Sequence, residues 1–252
     1  MTTPLRLQQL FPVAGEVDIE SVYDGTFGPP PDDRPHVTVN MVVSVDGGTA
    51  VEGKTGILST PPDRAVFRLL RSLADVVLVG AGTVRAEGYG TVKASDEVRA
   101  ARVARGQTPA AALAVVSRSL DLDWSTKLFA EPTQRPFVLT TADADEKALR
   151  AASDVATVIR AGTGDVDLRD AMRQLRQEHD VLRVLCEGGP TLNNQLASAG
   201  LLDQLCLTVS PTLLGSGSKT ILASGELDAP IDLTLASALL AGSELFLRYR
   251  VG

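Results

Sequence analysis

The stretch that most constrains this chain runs from Val181 to Leu196, VLRVLCEGGPTLNNQL. Val181, Leu182, Val184 and Leu185 form an apolar run with the length and branching of a buried strand. Glu187, Gly188 and Gly189 follow, and then Pro190 opens a helix carrying Leu192, Leu196 and Leu201. Glycines let a backbone approach a ligand closely, and proline is pre-set for the first helical position. The amides of that first turn, at the positive end of the helix dipole, suit a phosphate or pyrophosphate. An ordinary strand–turn–helix of an α/β protein carries the same pattern, so this stretch alone leaves both readings open.

A chain of 252 residues with 44% hydrophobic content can bury a full core. Its net charge of −7, without a Lys/Arg-rich run, argues against a nucleic-acid partner. No run of about 18 apolar residues is present, and the N-terminus lacks the apolar core of a signal peptide. Cys186 and Cys206 both fall in apolar, strand-like runs, which reads as buried reduced thiols in a cytoplasmic protein. With His36 and His179 the only histidines and no Cys-x-x-Cys, a dedicated metal site is not expected. The absence of Gly-x-Ser-x-Gly and of a Gly-x-x-x-x-Gly-Lys loop removes the main hydrolase and nucleotide-kinase signatures.

In chain order, residues 1–35 read as an irregular arm and linker, with Leu5, Leu7, Leu10 and Phe11 packing as a short helix or arm. Val37–Val43 is the first strong strand, with a polar Asn40 inside it that needs a partner or a ligand. It ends in Ser44-Val45-Asp46-Gly47-Gly48. Thr60 caps a helix that carries Val66, Leu69, Leu70 and Leu73, with Arg64, Arg68 and Arg71 around them. Three arginines on a helix form a solvated face, unless one turns toward a pocket and an anionic substrate. The strand Asp75–Val79 runs into Gly80-Ala81-Gly82-Thr83, a glycine-rich strand-to-loop turn. Arg85 takes the third glycine place of G-x-G-x-x-G, so this is not the Rossmann fingerprint.

Residues 95–105 read as an exposed, charged helix, and Ala111–Val116 as a third strand followed by Ser117-Arg118-Ser119. Hydroxyls and an arginine there suit a 2′-phosphate, and equally an ordinary polar loop. Strand–helix alternation continues to Glu178, the rhythm of a mostly parallel sheet. Gln204–Ser210 is a further strand, residues 213–219 form a glycine-rich loop, and Ile231–Ser237 and Glu244–Val251 read as two antiparallel tail strands. Nothing breaks the composition after residue 36, so residues 36–252 read as one domain.

Assembled, these motifs resemble the reductase domain of the bifunctional riboflavin-biosynthesis deaminase-reductase family. The marks are Ser44-Val45-Asp46-Gly47, Leu69-Leu70-Arg71, Val79-Gly80-x-Gly82-Thr83-Val84, Glu187-Gly188-Gly189-Pro190-Thr191-Leu192 and Pro211-Thr212-Leu213-Leu214-Gly215. Together they span about Val37 to Val251, and the zinc deaminase signature of the family is absent. The resemblance implies a dihydrofolate-reductase-like α/β fold, with a mainly parallel central sheet flanked by helices and antiparallel C-terminal strands. It also implies NADPH as cofactor, held by Gly80, Gly82, Thr83, Ser117, Arg118, Gly188, Gly189, Pro190 and Thr191.

The implied reaction reduces the ribosylamino group of 5-amino-6-(5-phosphoribosylamino)uracil to ribitylamino. Glu87 would be the acid, with Asp46 in support, and Asn40, Thr60, Arg71 and Glu187 would bind substrate. A homodimer covering the edge of the tail strands is expected. The chain departs from the family pattern at three places. Asn40 replaces a lysine, Glu87 replaces an aspartate, and no arginine follows Tyr89, where Lys93 is the nearest cation. Two alternatives therefore stay open: a divergent paralogue reducing dihydrofolate or a related pteridine, and a non-catalytic NADPH-binding protein.

Overall fold

The computed structural model of the chain describes residues 5–50, 56–215, 218–222 and 227–252. The first third holds β1 (Arg6–Phe11), β2 (Gly15–Asp18), α1 (Ile19–Tyr23), β3 (His36–Ser44), α2 (Pro61–Leu73) and β4 (Val76–Gly80). Then come α3 (Ala81–Glu87), α4 (Asp96–Ala104), β5 (Ala112–Val116), α5 (Lys127–Ala130), β6 (Phe137–Thr140) and α6 (Glu146–Val155). The last third holds β7 (Thr157–Arg160), α7 (Leu168–His179), β8 (Arg183–Cys186), α8 (Pro190–Ser198), β9 (Gln204–Ser210), β10 (Leu233–Ala241) and β11 (Glu244–Val251).

All the described strands join one sheet, in the order β2-β1-β10-β11-β9-β3-β8-β4-β5-β6-β7. From β9 to β7 the neighbours are parallel, and from β9 to β2 they are antiparallel. This is the mainly parallel sheet with antiparallel tail strands that the sequence implies. Its central strands are apolar along their whole length because both faces are covered. Val77, Leu78, Val79, Val184, Leu185 and Cys186 are all fully buried. One apolar core lies beneath α1, α2 and α6, and the second beneath α7 and α8. Cys186 and Cys206 are free and buried, and burial pushes both thiols up to about 12. No helix among the described residues is long and apolar enough to cross a membrane.

Four local expectations change. The arm is not irregular: β1 and β2 form a hairpin, with Leu7 buried, and β1 pairs with β10. The tail strands consequently have no free edge, since β11 lies between β9 and β10 and β10 carries β1. The glycine run after β4 is a helix, α3, stopped by Gly88 in the left-handed conformation. Finally, the charged helix α4 is not wholly solvated. Arg102 is fully buried, and its guanidinium donates to the carbonyls of Thr108 (2.8 Å), Ser72 (2.9 Å) and Ala74 (2.6 Å). It caps the end of α2 with a cation, as the helix dipole favours. Burial brings its pKa down to about 10, so it remains charged at neutral pH.

The end of β3 is fastened to the loop after β9. The carboxylate of Asp46 accepts the Ser44 hydroxyl (2.5 Å) and the backbone amides of Leu214 (3.1 Å) and Gly215 (2.7 Å). Thr49 N–H and hydroxyl both donate to the Lys219 carbonyl, at 2.8 and 2.9 Å. Gly48 must lack a side chain here, because a Cβ would meet Ser218 Oγ at 2.6 Å. Of the loop expected over 213–219, Ser216 and Gly217 lie outside the described residues.

The hydrogen bonds from Ser44 and then from the two amides bring the Asp46 pKa down to about 2. A depressed carboxylate contributes stability that is complete above its unfolded pKa of about 4, and loses it as pH falls through the folded value. Between pH 5 and 8 this fastening should therefore not change. Asp46→Asn should speed hydrogen exchange at the Leu214 and Gly215 amides by about tenfold or more. Unchanged exchange at both would show that the carboxylate does not hold the loop.

Candidate active site

The sheet order makes the site. The chain passes from β3 through α2 to β4 and leaves a gap between those strands, which β8 fills much later. In open α/β sheets, ligands bind beyond the carboxyl ends of strands at such a reversal. Here three strand ends meet: Asn40–Ser44 of β3, Gly80 of β4, and Glu187–Gly189 after β8. Register fixes them, with Leu78 and Val39 both paired to Cys186. The Gly80 N–H then donates to the Gly188 carbonyl at 2.8 Å, and the Glu187 N–H to that of Leu78 at 3.0 Å. The Gly188–Gly189 peptide bond is cis.

Two cavities open at this point, of about 510 and 720 Å³. Met41, Glu87 and Glu187 line both, so these side chains form their common wall. The larger cavity is made mostly of backbone and small residues. Gly80 and Gly189 start α3 and α8, and neither helix has a side-chain cap. A Cβ on Gly189 would sit 2.7 Å from Thr83 Oγ1, so only glycine leaves that space open. At the far end lie Ser117, Arg118 and Ser119, with the Arg118 carbonyl accepting from the Thr140 hydroxyl at 3.3 Å. Lys219 lines another part. A glycine-floored cavity of this volume, lined also by Arg118 and Lys219, fits a phosphorylated dinucleotide.

The smaller cavity is made of side chains. Its back is a buried ion pair: Arg71 Nε and Nη2 donate to Glu187 Oε1 and Oε2, at 2.6 and 2.7 Å. The Tyr89 hydroxyl donates to Oε2 as well, at 2.7 Å. The Arg71 guanidinium lies 4.1 Å over the Phe67 ring, held there by cation–π attraction at the i, i+4 spacing. Burial penalises the Arg71 cation, and the hydrogen bonds and charge of Glu187 outweigh that, so its pKa rises above the ordinary value. Burial and then the Glu187 charge push Tyr89 well above the usual phenol range. Tyr89 thus stays a hydrogen-bond donor.

Asn40, Arg71, Glu87 and Glu187 all line the smaller cavity. Gly80, Gly82, Thr83, Ser117, Arg118, Gly189, Pro190 and Thr191 line the larger one. Gly188, at φ +88°, shapes the turn without lining it. Two further residues singled out by sequence line neither cavity. Asp46 fastens the neighbouring loop, and Thr60 caps α2 by accepting from the Asp63 amide while its hydroxyl donates to buried Glu244. Ser59 lines the cavity instead. Sequence reasoning also missed Met41, Phe67 and Tyr89. Phe67 had a signal in its i, i+4 spacing from Arg71, whereas Tyr89 reaches Glu187 only through the fold.

Comparison with known proteins places the chain among pyrimidine reductases of riboflavin biosynthesis by similarity. A curated relative from Archaeoglobus fulgidus, named 2,5-diamino-6-ribosylamino-4(3H)-pyrimidinone 5′-phosphate reductase, is 28% identical over 194 residues, covering 77% of this chain and 88% of the relative. The riboflavin biosynthesis protein RibD of Mycobacterium tuberculosis is 28% identical over 183 residues, covering 72% of this chain but 43% of that longer protein. The crystal structure of a pyrimidine reductase-like protein from Corynebacterium diphtheriae superposes with a TM-score of 0.78 at 27% identity, covering 92% of this chain and 98% of that one. Residues 35–247 match the RibD C-terminal domain, and the chain belongs to that family.

Proposed function

We propose that this chain is an NADPH-dependent reductase that converts the ribosylamino group of a pyrimidine 5′-phosphate, such as 5-amino-6-(5-phosphoribosylamino)uracil, into ribitylamino. One observation carries the reading: a dinucleotide-sized cavity and a cation-lined cavity share a wall made by Met41, Glu87 and Glu187. The name of the archaeal relative, which covers most of this chain, supports the same substrate class.

The bound cofactor would supply the hydride, delivered across the common wall to C1′ of the ring-opened imine. The chain supplies the rest. Hydride transfer to an imine is easier when its nitrogen is protonated or polarised, which needs a positioned acid. Both oxygens of Glu187 accept hydrogen bonds from Arg71 and Tyr89, so Glu187 orients these side chains at the common wall. Asp46 is held ionised to about pH 2 and lines neither cavity. Glu87 is half-buried at the end of α3 and lines both cavities, and that position supports it as the acid. The buried amide of Asn40 lines the substrate side and has no side-chain hydrogen bond to a described residue, so it is placed to meet substrate heteroatoms.

The same reading extends to assembly. On the tail strands, Leu239, Phe246 and Cys206 pack into the core, while Leu240, Leu245, Leu247 and Val209 point to the opposite face and stay half-buried. Leu245 pairs with Val209 and with Leu240, so these residues form a continuous apolar patch. A second copy of the chain covers it.

Purified protein should oxidise NADPH with the pyrimidine phosphate and not with dihydrofolate; the reverse preference would assign it to pteridine reduction. Glu87→Gln should bind NADPH almost as before while turnover falls about a hundredfold, the range for one acid–base group. Its pH profile should also lose one limb, and near wild-type turnover would remove Glu87 as the acid. Arg118→Ala should raise the NADPH dissociation constant about tenfold and leave that of NADH little changed, as expected for a lost charge-assisted bond to a 2′-phosphate. Equal effects on both cofactors would show that Arg118 does not read that phosphate. In sedimentation at micromolar concentration the protein should run as a dimer and Leu247→Arg as a monomer; a monomeric wild type would refute the pairing.

A further inference from the structure

Resting on that reading, we infer that the anionic end of the substrate is held by Arg64 and Arg68 on α2, and that Arg71 is not its ligand. Arg64, Arg68 and Arg71 lie at i, i+4 and i+7, and all three line the smaller cavity. A 3.6-residue period keeps these positions on one face of the helix. Their circumstances differ. Arg71 has two of its donors committed to Glu187 and its face committed to Phe67. Drawing it toward a phosphate would leave Glu187, whose side chain is only 2% exposed, as a buried carboxylate stripped of its main partner.

Arg64 and Arg68 form no salt bridge to a carboxylate among the described residues. Arg64 gives one Nη1 bond to the Ser59 carbonyl at 2.7 Å, which fixes its stem beside the cavity. Asp63 on the same turn is turned to Ser59, whose hydroxyl it accepts at 2.6 Å.

The spacing also fits. A helical rise of about 1.5 Å per residue puts Arg68 about 4.5 Å and Arg64 about 10.5 Å along α2 from Arg71. Arg71, through Glu187, marks the end of the cavity where the two ligands meet. The arginines thus stand one short, extended sugar chain away from the reacting carbon. The two exposed cations on α2 lie away from the common wall, so the substrate is ordered end to end: heterocycle and C1′ at the wall, phosphate at the arginines. Arginine suits the task, because its planar fork takes phosphate oxygens two at a time.

The test is binding of ribose 5-phosphate to the full chain by calorimetry, with ribose as control, alongside turnover of the pyrimidine phosphate and its dephosphorylated nucleoside. Arg64→Ala and Arg68→Ala replace exposed helical residues with a strong helix former, so the fold should be kept. Each should weaken ribose 5-phosphate about tenfold, and both together should abolish its advantage over ribose. KM for the phosphorylated substrate should rise in step, with kcat and the nucleoside little affected. Equal affinity for ribose 5-phosphate in the wild type and the double variant would overturn the assignment. Loss of that affinity in a protein that reduces no pyrimidine phosphate would uphold the subsite and refute the proposed reaction.

Discussion

The Glu187 carboxylate is the junction on which the site depends. It joins three stretches far apart in sequence: the end of β8, the last turn of α2 through Arg71, and the segment after α3 through Tyr89. A carboxylate this buried carries a large desolvation cost, and three charge-assisted hydrogen bonds offset it. The geometry is therefore cooperative. Removing any one partner leaves buried charge or buried acceptor behind, an effect on the order of several kcal/mol for a broken buried pair. The same three bonds set the distance between α2 and the glycine turn, and hence the width of the smaller cavity where it meets the larger one.

How legible all this is in the sequence depends on whether a feature is local. A strand buried on both faces announces itself as an unbroken apolar run, as Val76–Gly80 does, and the mixed runs Gln204–Ser210 and Glu244–Val251 are legible to the residue from their bounding turns. The cap at Thr60 and the proline start of α8 are likewise local chemistry. The failures share a cause in tertiary context. α3 is seven residues of mixed propensity between glycines, and it is helical because β4 delivers the chain there and Gly88 ends it. The β1–β2 hairpin buries Leu7 but leaves Leu10 and Phe11 about two-fifths exposed, so its pattern lacks the clean alternation of a strand. Arg102 looks like one more solvated charge on a charged helix, yet the carbonyls it caps belong to α2 and the loop beyond.

The candidate site divides along the same line. Its glycines were readable because close backbone approach has few sequence solutions, and the structure gathers nearly all of them around one cavity. Carboxylates were harder to sort. Asp46, Glu87 and Glu187 all sit near strand ends or glycines, and sequence alone does not say which of them reaches a cavity. Position separates them: Asp46 is turned to the loop amides of Leu214 and Gly215, whereas Glu87 and Glu187 line both cavities. Ser59 and Thr60 show the limit most closely. Both are hydroxyl residues at the start of one helix, and only the cap geometry decides which one turns to the cavity.

The two halves of the site are built from different materials, and that difference has a physical consequence. The larger cavity is shaped by glycines, helix starts and strand register, which are set by the core and vary little with individual side chains. The smaller cavity is shaped by side chains, among them Asn40, Phe67, Arg68, Arg71 and Tyr89. The uncharged Asn40 inside a central strand and the exposed arginines on α2 belong to this second kind of wall. The Arg71–Glu187 pair marks the border between the two: on one side Arg68 is an exposed side chain whose removal disturbs no packing, and on the other a Cβ at Gly189 would meet Thr83 Oγ1 at 2.7 Å.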